Sequence, residues 1–242
     1  MDYVGVFMNR IEMKNKAKEV LKGKVFFSFV VVLLFGLVMG LPDMLIPISG
    51  SGERAFAAIG SLFAAVLGIF LIPVRFGVVQ YFHDISNGRE GRIDDFLTPY
   101  KEKFWEEMIK ARLIASIYTV LGLICFIIPG IYMAFKYSQI EYCFLDNKQI
   151  KYKEAMDKSA QIMKNNKMEL FVLSLSFIGW MLLIPLTLGI LAIYVAPYLE
   201  ATMLQFYYAK SGTLTSSQPE VVVIEDISST KEEKKEDSDF WK

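Results

Sequence analysis

Long uncharged apolar runs alternate with polar segments along this chain. Val25–Leu41, Ala55–Val74, Leu113–Phe135 and Leu170–Leu199 contain no Asp, Glu, Lys or Arg. At 1.5 Å per residue the first of these is roughly 25 Å of helix and the second roughly 30 Å, the scale of a ~30 Å hydrocarbon core. The pattern predicts membrane-spanning helices. The third run is interrupted by Pro129-Gly130, and the fourth around Pro185-Leu186-Thr187-Leu188-Gly189. Thirty residues of straight helix would be roughly 45 Å, too long for one crossing without strong tilt.

Charge chooses between two topologies. Of the 26 Lys and Arg, six lie in the first 24 residues, six between Arg89 and Arg112, six between Lys148 and Lys167, and five from Lys210 onward. Basic loops stay on the cytoplasmic side. If each long run crosses once, the chain has four spans and the Lys148–Lys167 loop lies outside, against that rule. If each folds as a helical hairpin, at Pro129-Gly130 and at Pro185–Gly189, the chain has six spans and only Arg54 is an outside cation. The expectation is an all-α polytopic membrane bundle with spans at 25–41, 55–79, 109–128, 131–145, 168–186 and 188–209, both termini cytoplasmic. Arg75, at the inner end of the second span, is expected to snorkel to the interface.

The polar segments carry their own periodicity. Residues 8–24 hold six basic residues and a thin apolar stripe through Ile11, Ala17 and Leu21. That reads as a helix on the membrane surface or as a solvated charged helix. Asn87-Gly88 signals a turn, and Phe104, Trp105, Met108 and Ile109 lead into the third span at an interface. Tyr152, Ala155, Ser159 and Ile162 recur at helical spacing among lysines, predicting a short amphipathic helix. Residues 211–242 carry four basic and eight acidic residues and cannot bury a core, so a disordered tail is expected. The chain therefore divides into a basic segment (1–24), a membrane domain (25–210) and the tail. The run before Pro42-Asp43 lacks a small-x-small cleavage pattern, so it is read as a first span rather than a signal peptide. Met8 is an alternative start.

Composition agrees with a membrane protein. The chain is 54% hydrophobic with zero formal net charge and a mean hydropathy of +0.37. Two cysteines, Cys125 and Cys143, exclude a disulfide framework. The single His83 and the lack of His-x-x-x-His or Cys-x-x-Cys spacing argue against a metal site. Ile48–Glu53 has two glycines but no Gly-Lys-Ser/Thr, and no Gly-x-Ser-x-Gly is present. No catalytic motif is found, so an enzyme is not expected; nor are a cofactor or nucleic acid. The expected partners are the lipid bilayer, anionic lipid at the basic loops, and a protein docking on the tail, where Val221–Ile224 is an apolar exception.

Ionisable residues within spans are functional candidates by default. Counted from the expected outer turns, Lys136 lies roughly 10 Å deep and Glu200 roughly 16 Å deep. They are expected to pair across the bundle, with Glu141 nearer the inner side. Tyr132, Lys136, Gln139 and Cys143 share one helix face, as do Tyr194, Tyr198 and Gln205. Such stripes act as interhelical glue or line a ligand.

Several segments carry a family resemblance. IIPGI (Ile127–Ile131), KYSQ (Lys136–Gln139), LDN (Leu145–Asn147), EAMDKSAQIMKNNK (Glu154–Lys167), LSFIGW (Leu175–Trp180), LTLGI (Leu186–Ile190), APY (Ala196–Tyr198) and FYY (Phe206–Tyr208) form a specific series. MNRIEMKNKAKEVLKGK is similar to the same family's opening, and FGVVQYF (Phe76–Phe82) more loosely so. Over roughly residues 8–210 the chain resembles the domain of unknown function 975 family, integral membrane proteins of low-GC Gram-positive bacteria. The resemblance implies a multi-pass cell-membrane protein without an established activity. Architecture alone also resembles the membrane anchor of some glycerophosphodiester phosphodiesterases, whose catalytic residues are absent here. The sequence supports a non-enzymatic bundle that binds lipid, a hydrophobic peptide or a partner protein. A small-solute or ion transporter using Lys136 and Glu200 is the alternative.

Overall fold

The computed structural model describes residues 10–44 and 54–212, all helix and turn with no strand among them. Met1–Phe7, Met8, the Ile48–Glu53 glycines and the tail with Val221–Ile224 lie outside the described residues, as does the Arg54 side chain.

Helix α1 (Arg10–Leu21) leads into α2 (Val25–Met44) through Gly23, whose φ of +77° suits glycine. The buried stripe of α1 is Met13, Ala17 and Leu21, spaced four apart and packed on the last helix among the described residues. Ala17 and Leu21 of the expected stripe are buried, but Ile11 is 66% exposed and Met13, at 0%, takes its place.

Helices α3 (Arg54–Leu71) and α4 (Val74–Ser86) are separated only by Ile72-Pro73. Proline lacks the N–H for a continuous ladder, and the bonds Ile72 N–H to Ile69 O and Arg75 N–H to Ile72 O tighten to three-residue spacing. The rod continues to Ser86, past the expected end at 79, and stops at Asn87-Gly88, where Gly88 has φ +72°. Helix α4 buries residues on every side, from Phe76 to Ile85, which marks a central helix.

A 3-10 turn (Ile93–Leu97) and the short α5 (Thr98–Lys101) return the chain along α4 to α6 (Trp105–Cys125). Helix α6 forms a tight hairpin with α7 (Ile127–Lys136). The reversal is not at Pro129-Gly130 but at Phe126, whose backbone is extended (φ −162°, ψ 153°). Pro129 sits in the first turn of α7, where a missing N–H costs little. Gly130 faces Gly122, and a Cβ on Gly130 would fall 2.3 Å from Leu123 Cγ. The glycine is thus needed for close approach rather than for the turn itself.

The expected fourth span, 131–145, is divided. Helix α7 ends at Lys136 and α8 (Ile140–Asp146) begins after three residues of turn. Helix α9 (Tyr152–Ile162) closes over this break. Its buried Ser159 donates to Lys136 O at 3.0 Å and accepts from Gln139 N–H at 3.2 Å. Helix α9 buries Ala155, Met156, Ser159 and Ile162, close to the expected face.

Helices α10 (Lys167–Leu186) and α11 (Ala192–Ser211) run antiparallel, tied by a Glu169–Lys210 ion pair at 2.8 Å and by Phe177 against Tyr198. Pro185 lies inside α10, and the turn follows it. Leu188 and Gly189 have φ of 51° and 86°, and Gly189 N–H donates to Ile184 O at 2.9 Å. Helix α11 packs on α1, α2, α4 and α10.

Four stretches of described helix are long and apolar enough to cross a membrane: Val25–Pro42, Gly60–Ser86, Trp105–Cys125 and Lys167–Leu186. Three are largely unburied and present Phe27, Ile124, Leu182 and other bulky apolar side chains outward, as lipid contact requires. The expected fourth span is missing from this set because of its break. The expected sixth is missing because α11 carries Glu200, Thr202, Gln205 and four tyrosines. Ile128 and Ile131 of α7 also line one groove with Lys167 and Met168 at the start of α10. The six-span reading set Pro129-Gly130 and Lys167 at opposite membrane faces, so this adjacency counts against α7 as a full return crossing.

Candidate functional site

Six helices, α7 among them through Ala134 and Phe135, line a polar cavity of about 250 Å³. Arg75 comes from α4, Arg112 from α6, Ser138, Gln139, Glu141 and Tyr142 from the α7–α8 break and α8, and Leu170 and Ser174 from α10, with Met203 of α11 completing the wall. The break places the site. An uninterrupted helix would carry Gln139 and Glu141 about 100° per residue around its axis, whereas the turn at 137–139 delivers both to one space.

Two ion pairs flank it. Arg75 Nη1 and Nη2 donate to Glu200 Oε1 and Oε2, both at 2.8 Å. This fork-to-fork geometry is the strongest guanidinium–carboxylate arrangement. The Arg75 side chain is 28% exposed and that of Glu200 12%, and the guanidinium also stands 5.6 Å from the Phe35 ring centroid. Arg112 Nη2 pairs with the buried carboxylate of Glu141. Glu200 and Glu141 thus each have their own arginine, so the two pairs leave little net charge beside the cavity.

These contacts correct the expected Lys136–Glu200 pair. Glu200 is held by Arg75, and Lys136 turns its Nζ over the Tyr137 ring at 5.1 Å. Nor does Arg75 snorkel outward. Tyr132 is likewise outside the cavity, beneath Lys167 Nζ at 4.5 Å from its ring. Of the sequence candidates, Gln139 and Glu141 line the cavity and Glu200 stands behind Arg75. Arg75 and Arg112 were missed. The signal available was balance: two acids inside apolar segments need two cations, and arginine suits a desolvated, bidentate pair better than lysine.

Of the stripe expected on α11, Tyr194 and Tyr198 pack ring to ring and Tyr198 on Phe177, while Gln205 and the neighbouring tyrosines serve a separate end of the bundle. Tyr207 donates to Asp146 Oδ2 at 2.6 Å, Gln205 Nε2 donates to Ser86 Oγ at 3.0 Å, and Tyr208 hydrogen-bonds His83 Nδ1. His83 is thus engaged with a tyrosine. Among the described residues no three His, Cys, Asp or Glu side chains are grouped to hold a metal ion. Cys125 and Cys143 are free thiols.

Two apolar grooves complete the surface. One, of about 270 Å³, is lined by Ile128, Ile131, Tyr132, Phe135, Lys167, Met168 and Phe171 and shares Phe135 with the polar cavity. The other, about 600 Å³, lies between α2, the α3–α4 junction and the 3-10 turn, lined chiefly by Leu34, Val38, Phe70, Phe96, Leu97 and Tyr100. Tyr100, whose hydroxyl donates to Phe70 O, has its pKa pushed up to about 12 by burial.

Residues 106–212 match the family model described as "Protein of unknown function (DUF975)". The resemblance read from the sequence holds over this segment, a little under half the chain. It contains Arg112, Gln139, Glu141, Ser174 and Glu200. Arg75 and the opening MNRIEMKNKAKEVLKGK precede it. No curated protein and no solved structure matches the chain.

Proposed function

We propose that this protein is a multi-pass integral membrane protein of the cell membrane whose bundle binds a lipid and catalyses no reaction. One observation carries the reading: a polar cavity with two arginines adjoins an apolar groove across the single side chain of Phe135. A polar space beside an apolar one suits an amphiphile, which loses no hydrogen bonds at its head and keeps its chain out of water. Four lipid-scale apolar helices support a ligand drawn from the bilayer.

Native mass spectrometry of protein purified in mild detergent tests this. Wild type should retain one phospholipid per chain, and Phe135→Trp, which fills the junction, should retain less. Equal retention by both, or none by wild type, refutes the reading. The two ion pairs beside a polar cavity also favour a second reading, passage of a small polar solute. Flux in proteoliposomes, lost in Glu141→Gln, would favour it.

A further inference from the structure

The hydrogen-bonding groups around the cavity define what its occupant must offer. Ser138 Oγ donates to Phe135 O at 2.9 Å and receives Gln139 Nε2 at 3.0 Å, while Ser174 Oγ donates to Leu170 O at 2.9 Å. Both hydroxyl protons are therefore committed. Arg75 is engaged through both terminal nitrogens by Glu200. Arg112 contacts Glu141 through Nη2 alone, and a guanidinium carries five N–H donors, so Arg112 keeps more free donors than Arg75, and both line the cavity. The complementary group is Gln139. It is 2% exposed, it lines the cavity, and its Oε1 has no hydrogen-bond partner among the described residues. A buried carbonyl oxygen left unpaired costs about 1–3 kcal/mol.

An occupant that fits must supply acceptor oxygens to Arg112 and a donor to Gln139 Oε1. A phosphodiester supplies the first. Choline has no donor for the second. An ethanolamine ammonium has donors, but Glu141 and Glu200 are already neutralised by their arginines, so it would bring an unpaired charge to a neutral amide. A glycerol hydroxyl donates without adding positive charge. The volume, about 250 Å³, holds roughly eight water-sized groups of ~30 Å³ each, room for a glycerol phosphate head. Deepening the lipid-binding reading and resting on it, we infer that the cavity binds the headgroup of a phosphatidylglycerol-type lipid. Its phosphate lies on Arg112, a glycerol hydroxyl on Gln139 Oε1, and one acyl chain passes Phe135 into the groove of Ile131, Met168 and Phe171.

The test is competitive lipid retention by the full chain in detergent, read by native mass spectrometry. It uses phosphatidylglycerol, phosphatidic acid, phosphatidylethanolamine and phosphatidylcholine with identical chains, and soluble glycerol 3-phosphate as competitor. Phosphatidylglycerol should be retained at least tenfold over phosphatidylcholine, with phosphatidic acid between them. Gln139→Leu should lower phosphatidylglycerol to the phosphatidic acid level and leave phosphatidic acid unchanged. Gln139→Glu, of similar volume, should lower both by repelling phosphate. Circular dichroism of each variant should match wild type; if Gln139→Leu unfolds, Gln139→Glu gives the reading. Equal retention of phosphatidylglycerol and phosphatidylcholine overturns the headgroup assignment while leaving lipid binding intact. Full displacement by glycerol 3-phosphate assigns the cavity to a soluble ligand and overturns it too. Retention of no lipid at all overturns the lipid reading itself.

Discussion

Breaking the Arg75–Glu200 pair from one side should destabilise the bundle far more than removing both partners. Glu200→Leu strips the carboxylate from a guanidinium whose two terminal nitrogens each bond it at 2.8 Å. Removing one partner of a buried pair costs about 3–5 kcal/mol, because the other charge stays desolvated. The Arg75 side chain is 28% exposed, so water relieves part of this and about 3 kcal/mol is expected. Arg75→Met should cost the same, since it leaves a carboxylate among α4, α11 and the Phe35 ring. At about 2–4 °C per kcal/mol for a chain of this size, each single variant should melt roughly 6–12 °C below wild type in detergent. The double variant should recover more than half of that loss, as apolar replacement of a buried ion pair is often neutral. Melting by tryptophan fluorescence over the four proteins closes the cycle. Single losses that simply add in the double variant would show that the two residues do not interact, and the site would lose its scaffold.

Two further perturbations probe the frame of the site. Gly130→Ala puts a methyl 2.3 Å from Leu123 Cγ and should cost about 1–3 kcal/mol as overpacking. Gly179→Ala, with nothing within 4 Å, should be neutral or slightly stabilising in the same melts; equal effects would contradict the tight α6–α7 hairpin. Met13→Ala should cost about 2–4 kcal/mol, because the side chain is fully buried against α11. Ile11→Ala should change stability by under ~0.5 kcal/mol, and the reverse ranking would restore the stripe read from the sequence.

The apolar helices were legible because a crossing helix needs an unbroken uncharged run, and such runs are visible without partners. Helix α9 was legible for the same local reason: Ala155, Ser159 and Ile162 repeat at helical spacing. Pairing was not legible. Lys136 and Glu200 were opposite in charge and comparable in counted depth, yet depth along two helices fixes neither rotation nor tilt. Arg75 reached Glu200 because α4 and α11 lie side by side and run in the same direction, as Arg75–Glu200 and His83–Tyr208 both show. The sequence reading gave Arg75 to the interface because it ended the second span at 79, while the helix runs on to Ser86 and holds Arg75 at mid-rod. The α7–α8 break was hidden for a related reason. Lys136-Tyr137-Ser138-Gln139 is compatible with helix locally, and what interrupts it comes from α9.

That interruption gives Ser159 more weight than its size suggests. Non-helical backbone buried among helices survives only where protein satisfies its polar groups. Here one hydroxyl serves both sides of the gap, donating to Lys136 O and accepting from Gln139 N–H. Ser159→Ala removes both bonds at a position with 0% exposure, leaving a carbonyl and an amide short by about 1–3 kcal/mol in all. If the break is what aims Gln139 into the cavity, the loss should extend beyond stability. Lipid retention should fall together with the melting temperature in Ser159→Ala. Leu204→Ala, buried in α11 away from the cavity wall, should lower melting by a similar or larger amount and leave retention intact at temperatures where it is folded. A Ser159→Ala protein that melts early yet retains lipid normally would refute the link between the break and the site.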